Sequence, residues 1–353
     1  MILVPIQYLL SEKMVIGATK ICRSLFHYRS RFPSVHSFSS SQMLQETVRA
    51  AVEAKAYQQI PDLFVSSKQS GEKPNPFSCL SNFSQQLRTQ VIDEILQSFI
   101  LIRPRSRPQL AYGCLLSYTL QNSNPLPLAL AILQRMIRSG CVPARQTHLL
   151  LSSAWLDRRR QSQSVANILL EMQSIGYHAD CGTCNYLISS LCAMDQLVEA
   201  VNVLKGMAGA GCVPDLESYG TVIGAMSVAR KTAEAVEMLK QMVVKVGLTP
   251  RQGIVFKVAA ALRANREIWT AVKMIEFLET EGYSVGFETH ESVLEGCLEC
   301  KEYLLAGKVV MGMTDKGFIP YIKVRQKVVE GLINSGEWKL ACTVRERFAE
   351  LGS

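Results

Sequence analysis

The chain has 353 residues, of which 48% are hydrophobic and 19% are charged, so it has enough apolar material to fold and is not a disordered protein. This length exceeds what one compact helical core usually holds, which indicates several domains or an elongated repeat array. The formal net charge is +8, and no apolar run reaches the roughly 20 residues that cross a bilayer, so we expect no membrane span.

Residues 1–42 are rich in Ser and Arg and contain a single acidic residue, Glu12. Their net charge is +4, which leaves +4 for the other 311 residues. The main body of the chain is therefore only mildly basic, and its charge supports a nucleic-acid partner weakly. The composition of residues 1–42 is typical of an organellar presequence. Arginines such as Arg29 and Arg31 favour the mitochondrion, with the chloroplast as the alternative, and a disordered tail without an address is the remaining interpretation.

Residues 43–108 are less regular than the rest of the chain. The amphipathic run from Val91 to Ile102, and the spacing of three between Gly71 and Pro74, predict two degenerate helix pairs in this segment. The basic linker from Arg103 to Pro108 follows. It is interpreted as a solvated turn, with contact to phosphate as the alternative.

From residue 109 onward, glycines recur at intervals of 35 or 36 residues. They are Gly140, Gly176, Gly211, Gly247, Gly282, Gly317 and Gly352. A small residue precedes nearly every one by eleven positions, and a large apolar residue follows that small residue by seven positions. The small residues are Ala129, Val165, Ala200, Ala235, Ala271, Ala306 and Ala341, and the large ones are Met136, Met172, Met207, Met242, Leu278, Met313 and Phe348. A separation of seven is two helical turns, so both residues share one face of a helix that the glycine ends.

A second apolar segment precedes each of these helices and predicts the first helix of a pair. A single helix pair cannot bury both of its faces, so the pairs must stack. The predicted fold is an all-α, right-handed superhelical solenoid of stacked antiparallel helix pairs. The predicted units are 109–144, 145–180, 181–215, 216–251, 252–286, 287–321 and 322–353. The last unit has Arg345 where the others have an apolar residue, which is typical of a terminal cap.

The stretch from Cys181 to Asp215 resembles the pentatricopeptide repeat, and the stretch from Leu216 to Arg251 resembles it too. The matching residues of the first stretch are Asn185, Leu187, Ile188, Leu191, Cys192, Glu199, Ala200, Leu204, Met207, Gly211, Pro214 and Asp215. The tetratricopeptide repeat, with its period of about 34, fits less well. The resemblance covers about two thirds of the chain. It implies that each repeat reads one nucleotide of single-stranded RNA, through a side chain on the first helix and another at the last position of the unit.

Carried onto this sequence, the resemblance implies RNA-binding roles for four pairs of positions. They are Asn185 with Asp215, Gly220 with Arg251, Leu149 with Asp180, and Gly113 with Ala144. Asn185 with Asp215 is the clearest pair, because an amide can both donate to and accept from a base edge while a carboxylate orients the contact. This unit should prefer a pyrimidine, with U first. The alternative interpretation is a polar residue at a helix entry and a turn residue.

The second position of each unit departs from the pattern of the family, which has an aliphatic residue there. Only Leu110 conforms, whereas Gly182, Glu217, Gly253 and Glu288 do not. Carboxylates that face a phosphate backbone repel it. The later reading positions are also poor, with Phe256 and Gly286 in one unit and Glu291 and Tyr321 in the next. A long, continuous, sequence-specific footprint on RNA is therefore not expected.

Two Cys-x-x-Cys pairs, at Cys181 and Cys297, lie three repeats apart and do not predict a zinc site. Trp155, Trp269 and Trp338 fall near the junctions between helices, where we expect core or hairpin packing rather than stacking on bases. No catalytic motif or phosphate loop is found. We therefore expect no enzyme, metal, cofactor or small-molecule substrate.

The resemblance and the presequence together predict an organellar adaptor that binds single-stranded RNA in transcript processing, stability or translation. The alternative is a scaffold that binds other organellar proteins, in a mitochondrial ribosome or an RNA-processing complex. The weak reading positions and the carboxylates of the second positions motivate this alternative.

Overall fold

The computed structural model describes residues 40–66, 75–162 and 164–352, and throughout these ranges the chain forms helices and no strand. Almost all of the predicted presequence, 1–42, and both Gly71 and Pro74 lie outside the described residues. The first three helices are α1 (Ser40–Glu53), α2 (Ile60–Ser66) and α3 (Gln85–Ile100), with short 3-10 helices at Tyr57–Gln59 and Pro76–Asn82. This region, for which two degenerate helix pairs were predicted, is thus built partly from 3-10 turns.

Seven helix pairs follow. The first helices of the pairs are α4 (Gln109–Leu120), α6 (Gln146–Gln161), α8 (Cys181–Ala193), α10 (Leu216–Val228), α12 (Gln252–Ala264), α14 (Phe287–Glu299) and α16 (Ile322–Asn334). The second helices are α5 (Leu126–Arg138), α7 (Val165–Leu170), α9 (Leu197–Gly206), α11 (Thr232–Val244), α13 (Ile268–Thr280), α15 (Tyr303–Asp315) and α17 (Trp338–Gly352). Two 3-10 turns, Glu171–Ile175 and Ala208–Ala210, extend α7 and α9.

Six of the seven predicted glycines end a second helix or its 3-10 extension in the left-handed conformation. Gly211, with φ of 77°, is typical: beyond it the Cys212 N–H donates to the carbonyl of Met207 at 3.0 Å. This bond satisfies a carbonyl that the helix leaves without a partner. The prediction for Gly352 is wrong, because this residue is the last of α17 and not a residue beyond it. The left-handed glycine of that pair is Gly336, between α16 and α17.

The predicted stripe of small and large residues is confirmed. Ala200, Ala235 and Ala271 are fully buried, and Met207 and Met242 are at most 1% exposed. Each first helix packs against its own second helix and against the first helix of the next pair. The buried apolar residues form one continuous core from Val48 to Phe348, so the all-α solenoid is confirmed. Within the described ranges, every helix is too short or too polar to traverse a lipid bilayer.

Candidate nucleic-acid interface

The predicted reading positions follow one another along the stack of first helices. The chain of contacts runs from α6 to α8, α10, α12 and α14. Asn185 lies in the second turn of α8, and Asp215 is the N-cap residue of the next first helix, α10. Because the N-terminus of each first helix lies beside the preceding one, the stack brings the two positions of a pair together.

Asn185 and Asp215 contact each other directly. The Asn185 amide nitrogen Nδ2 donates to Asp215 Oδ1 at 3.1 Å and lies 3.3 Å from Oδ2. The Asn185 oxygen Oδ1 accepts from the Ser218 hydroxyl at 2.5 Å. Ser218 and Asp215 also form a capping box, since the Ser218 N–H donates to Asp215 Oδ1 at 2.9 Å and the Asp215 N–H donates to Ser218 Oγ at 3.1 Å. One carboxylate therefore both caps α10 and fixes the orientation of the Asn185 amide.

Burial limits what Asn185 presents to a ligand. Its side chain is only 6% exposed, and Ser218 is fully buried. Both ends of the amide are already hydrogen-bonded within the protein. Because the protein holds both ends of the amide, its orientation is fixed before any RNA binds. A base edge that bonded to Asn185 would share or replace these hydrogen bonds. The role of this pair in reading RNA stays a prediction.

The carboxyl group of Asp215 titrates at unusually low pH. Burial raises its pKa, but the hydrogen bonds from the Ser218 N–H, Cys181, Asn185 and the Ser218 hydroxyl outweigh burial and lower the pKa to about 2. An unfolded aspartate has a pKa of about 3.9. The ionised carboxyl therefore stabilises the fold above about pH 4, and this stabilisation is lost as the pH falls from about 4 to 2.

Replacing Asp215 with asparagine should remove this pH dependence while keeping the cap, because asparagine is an equally good N-cap residue. We expect Asp215→Asn to lower stability by about 1 kcal/mol at pH 7 and by almost nothing near pH 2. Urea unfolding at several pH values would measure the difference. Asp157→Asn is the matched control, because Asp157 is an exposed partner of Arg160 and its replacement should have little effect at any pH. An equal loss at pH 7 and pH 2 would contradict the expectation.

Two other predicted pairs, Leu149 with Asp180 and Gly113 with Ala144, offer fewer polar groups to an RNA base than Asn185 with Asp215 does. Leu149 is 54% exposed, and the carboxylate of its predicted partner, Asp180, caps α8 through the Thr183 N–H at 2.9 Å. Asp180 also pairs with Arg138 at 2.8 Å, so its charge is already compensated. Gly113 offers no side chain, and Ala144 is an exposed methyl group. Neither pair supplies a free polar group that could select a base.

The pair of Glu291 and Tyr321 contains a buried acid. Glu291 is 5% exposed; its Oε1 accepts from the Tyr321 N–H at 3.2 Å, and its Oε2 has no hydrogen-bond partner. Burial raises the pKa of Glu291. The hydrogen bond from the Tyr321 N–H lowers this pKa and the nearby Glu295 raises it, and the net shift is upward. The weak reading role of this unit stays a prediction.

A groove crosses the first helices between α8 and α12, over the middle of α10. Its volume is about 630 Å³, and it is lined in part by the predicted residues Gly220 and Arg251. Lys257, which sequence reasoning did not single out, lines the groove as well, and so do the acidic residues Asp195 and Glu217. A second groove, of about 650 Å³, lies between α12 and α14 and is lined in part by the predicted reading position Phe256.

The tryptophans differ from one another. Trp155 is fully buried, and its Nε1–H donates to Glu199 Oε2 at 3.0 Å, so core packing is confirmed there. Trp269 and Trp338 are 52% and 60% exposed. These two are therefore not core residues. They lie in the first turns of α13 and α17, and packing at the junction between the helices of a pair stays a prediction for them.

The cysteine pairs occupy separate regions. Cys181 and Cys184 lie on α8, whereas Cys297 and Cys300 lie at the end of α14. Among the residues that the structure describes, no group of three or more His, Cys, Asp or Glu side chains is placed to hold a metal ion.

Stacked helix pairs of about 35 residues, with polar side chains of neighbouring first helices in contact, define this protein as an α-helical repeat solenoid. The model of the PPR repeat family matches residues 182–212 and 217–245. The pentatricopeptide repeat-containing protein At1g06270 of Arabidopsis thaliana is 59% identical over 343 residues, which cover 96% of this chain and 100% of that protein. The chain therefore belongs to the pentatricopeptide repeat family.

Two further comparisons are more distant. The small ribosomal subunit protein mL104 (rPPR9) of Arabidopsis thaliana is 25% identical over 127 residues, which cover 35% of this chain and 24% of that protein. The crystal structure of the pentatricopeptide repeat protein PPR10 from maize aligns with a TM-score of 0.40 and 14% identity. That alignment covers 96% of this chain and 57% of PPR10.

Proposed function

We propose that the protein is an organellar adaptor that binds single-stranded RNA in transcript processing, stability or translation, without catalysis. The observation that carries this proposal is the contact between Asn185 and Asp215 on neighbouring first helices, in a chain of the pentatricopeptide repeat family. An amide held by a carboxylate at a fixed orientation suits the recognition of one base per repeat.

The proposed compartment is the mitochondrion, with the chloroplast as the alternative. The basic, Ser-rich and nearly acid-free composition of residues 1–42 supports it. A fluorescent protein fused behind residues 1–42 should accumulate with a mitochondrial marker in plant cells. A diffuse signal in the cytosol would contradict the proposal.

The proposed base preference can be tested with the double variant Asn185→Ala, Asp215→Ala. Selection of RNA from a randomised single-stranded library should enrich U at one position with the wild-type protein and should lose that enrichment with the variant. The affinity for the selected RNA should fall about tenfold, the equivalent of one or two hydrogen bonds. Fluorescence anisotropy at low salt would measure it.

Asn202→Ala is the matched control, because Asn202 lies on a second helix and its amide donates to Glu199 at 2.9 Å. It should leave the selected sequence unchanged. Wild-type protein that binds no RNA above background at low salt would refute the proposed function. A double variant that keeps both its helicity and the preference for U would refute only the reading role.

A protein scaffold is the second candidate function, and three observations favour it. Glu217 and Glu288 are exposed on first helices, where they would repel phosphate. Trp269, Leu304 and Trp338, at the starts of three successive second helices, are between 46% and 60% exposed. The distant relative mL104 carries the name of a ribosomal subunit protein. Affinity purification from organelles with and without nuclease separates the candidates, because partners that survive nuclease favour the scaffold.

A further inference from the structure

Three successive units expose a large apolar side chain at the start of the second helix. Trp269, Leu304 and Trp338 are the first or second residues of α13, α15 and α17, directly after the turn that joins the two helices of a pair. Because the pairs stack in one orientation, these turns follow one another along one edge of the solenoid. All three side chains are exposed. We call these three residues the ridge.

The residues beside the ridge are packed, so its exposure does not reflect a loosely built edge. A Cβ atom added at Gly331 of α16 would clash with the ring of Tyr303, which precedes Leu304. A Cβ atom added at Gly307 of α15 would lie 2.6 Å from Leu340 Cδ2 on α17. The packing of neighbouring helices therefore uses Tyr303 and Leu340 and leaves the ridge facing solvent. Large apolar side chains that stay exposed in a row are typical of an interaction surface.

Four exposed cations flank the ridge. They are Arg266, Lys273, Lys301 and Lys308. Two of them lie in the turns, three residues before Trp269 and Leu304, and two lie four residues after these side chains, on the same helical face. Among the residues that the structure describes, none of the four forms an ion pair, whereas Lys316 at the far end of α15 pairs with Glu279 at 2.9 Å. The four charges are therefore available to the carboxylates of a partner.

Three acidic residues lie on the same edge and do not fully offset these cations. Glu267 already accepts hydrogen bonds from Thr232 at 2.7 Å and from Asn265 at 3.1 Å. Glu302 is half-buried, and Glu337 is exposed. The edge beside the ridge is therefore cationic, with one carboxylate engaged inside the protein.

Positive charge and large apolar side chains occur together along this edge. Counted from three residues before to four residues after, the segments around Trp269 and Leu304 each carry a net charge of +1, and the segment around Trp338 is neutral. The equivalent segment around Val198 of α9 carries −2, and that around Ala233 of α11 is neutral. The units whose edge carries the positive charge are thus units of the ridge.

The charges decide between the possible occupants of the ridge. Residues 1–42 of the chain carry +4, and a second copy would bring the same cations, so both are repelled. Leu304, between the two tryptophans, offers no π-face on which an RNA base could stack. A protein segment with both carboxylates and apolar side chains complements the ridge, because tryptophan and arginine are residues that often dominate the binding energy of protein interfaces.

We propose that the ridge and its four cations bind an acidic amphipathic helix of a partner protein. Neighbouring helices of a stack lie on the order of 10 Å apart, and a helix rises about 10.5 Å in seven residues. A helix laid along the edge therefore presents an apolar side chain to each ridge residue at every second turn, and acidic residues beside them reach the cations. The inference rests on the second candidate function, whose partner chemistry it names, and it does not require RNA binding.

Two labelled peptides test the proposal on the full chain. The acidic probe is an amphipathic helix of about three heptads, with leucine on its apolar face and glutamate elsewhere. Its basic twin has lysine in place of each glutamate. Fluorescence anisotropy should show a micromolar Kd for the acidic probe, at least about tenfold weaker binding of the twin, and a loss of affinity as KCl is raised. Equal binding of the two peptides, or binding of neither, would overturn the proposal.

Variants assign the binding to the ridge. The double variant Trp269→Ala, Trp338→Ala should weaken binding of the acidic probe at least about tenfold. The double variant Lys273→Gln, Lys308→Gln should weaken it about threefold and reduce its salt dependence. All four residues are exposed, so circular dichroism should show unchanged helicity. Wild-type affinity in the tryptophan double variant would count decisively against the ridge.

Val198→Ala and Lys245→Gln are the matched controls. Val198 is an exposed apolar residue at the second position of α9, and Lys245 is an exposed cation at the far end of α11. Neither substitution should change the affinity for the acidic probe. An equal loss of affinity in the controls and in the ridge variants would place the binding elsewhere and overturn the proposal.

Intrinsic fluorescence gives an independent readout. The chain has three tryptophans, and Trp155 is fully buried, so the unlabelled acidic probe should act on Trp269 and Trp338. Their emission should shift to shorter wavelength, and quenching by acrylamide should fall, as the probe covers them. An unchanged emission at a saturating concentration of the probe would contradict the proposal.

Other ligands separate the ridge from the rest of the molecule. Oligouridine, or vesicles of anionic phospholipid, that bind wild type but not the tryptophan double variant would assign the ridge to RNA or to a lipid surface and overturn the proposal. Organellar partners that survive nuclease and bind this variant as well as wild type would overturn the ridge and leave the scaffold function intact. Wild type that binds the acidic probe but no RNA would support the ridge and refute only the RNA-binding adaptor.

Discussion

Replacing Trp155 with alanine should lower the free energy of unfolding by about 3–5 kcal/mol, as large-to-small changes of buried aromatic residues do. Trp155 has the largest of the fully buried side chains, so the substitution leaves a cavity between α6 and its neighbours. The indole also donates to Glu199 Oε2, which accepts from Arg159 at 2.8 Å as well. Loss of the indole therefore removes a hydrogen bond to the partly buried ion pair of Arg159 and Glu199, in addition to the lost packing.

Urea unfolding followed by circular dichroism measures this change. Trp155→Phe should lose less than Trp155→Ala, since it keeps most of the volume and loses only the N–H donor. Trp269→Ala is the control for removing a tryptophan, because Trp269 is 52% exposed and should cost about 1 kcal/mol or less. A loss for Trp155→Ala no larger than that for Trp269→Ala would show that Trp155 does not anchor the core.

The second helices could be predicted from the sequence because the spacing of residues along the chain is enough to identify their buried face. A small residue, and a large apolar one two turns later, mark the buried face whatever the neighbours are. The turns inside the pairs follow no such rule. Asn124, Asp195, Arg230, Arg266 and Lys301 adopt positive φ there, with values from 46° to 61°. Gly336, Asn124 and Asp195 are of residue types that favour this conformation, whereas the sequence does not reveal it at Arg230, Arg266 and Lys301.

At the candidate site, the pairing of Asn185 with Asp215 was predicted through the resemblance to the repeat family, but their direct hydrogen bond and the role of Ser218 were missed. The signal for Ser218 is local, because an aspartate followed three residues later by serine is a variant of the capping-box pattern. The burial of Asn185 depends on how two first helices stack and leaves no mark in the sequence. The same holds for the free cation of Lys257, which faces a groove that exists only once α10 and α12 are side by side.

Replacing Gly206 with alanine should destabilise the protein, although alanine is the better helix former. Gly206 ends α9, where an added Cβ atom would lie 2.6 Å from the Cβ atom of Val165, at the start of α7. Val165 cannot rotate its own Cβ away, so the two helices must separate. Overpacking of this kind costs about 1–3 kcal/mol. The higher helix propensity of alanine offsets at most about 1 kcal/mol of that cost. We expect a net loss of about 1–2 kcal/mol.

Gly224→Ala is the matched control, since it makes the same chemical change on a helix where the added methyl group meets only Lys257 Nζ at 4.0 Å. It should raise stability by about 0.5–1 kcal/mol. The two substitutions should therefore move the urea midpoint in opposite directions. If both raised it, the close approach of α7 and α9 would not limit the residue at position 206, and small residues would not set the spacing of the second helices. If both lowered it, Gly224 would have a packing role that its open surroundings do not reveal.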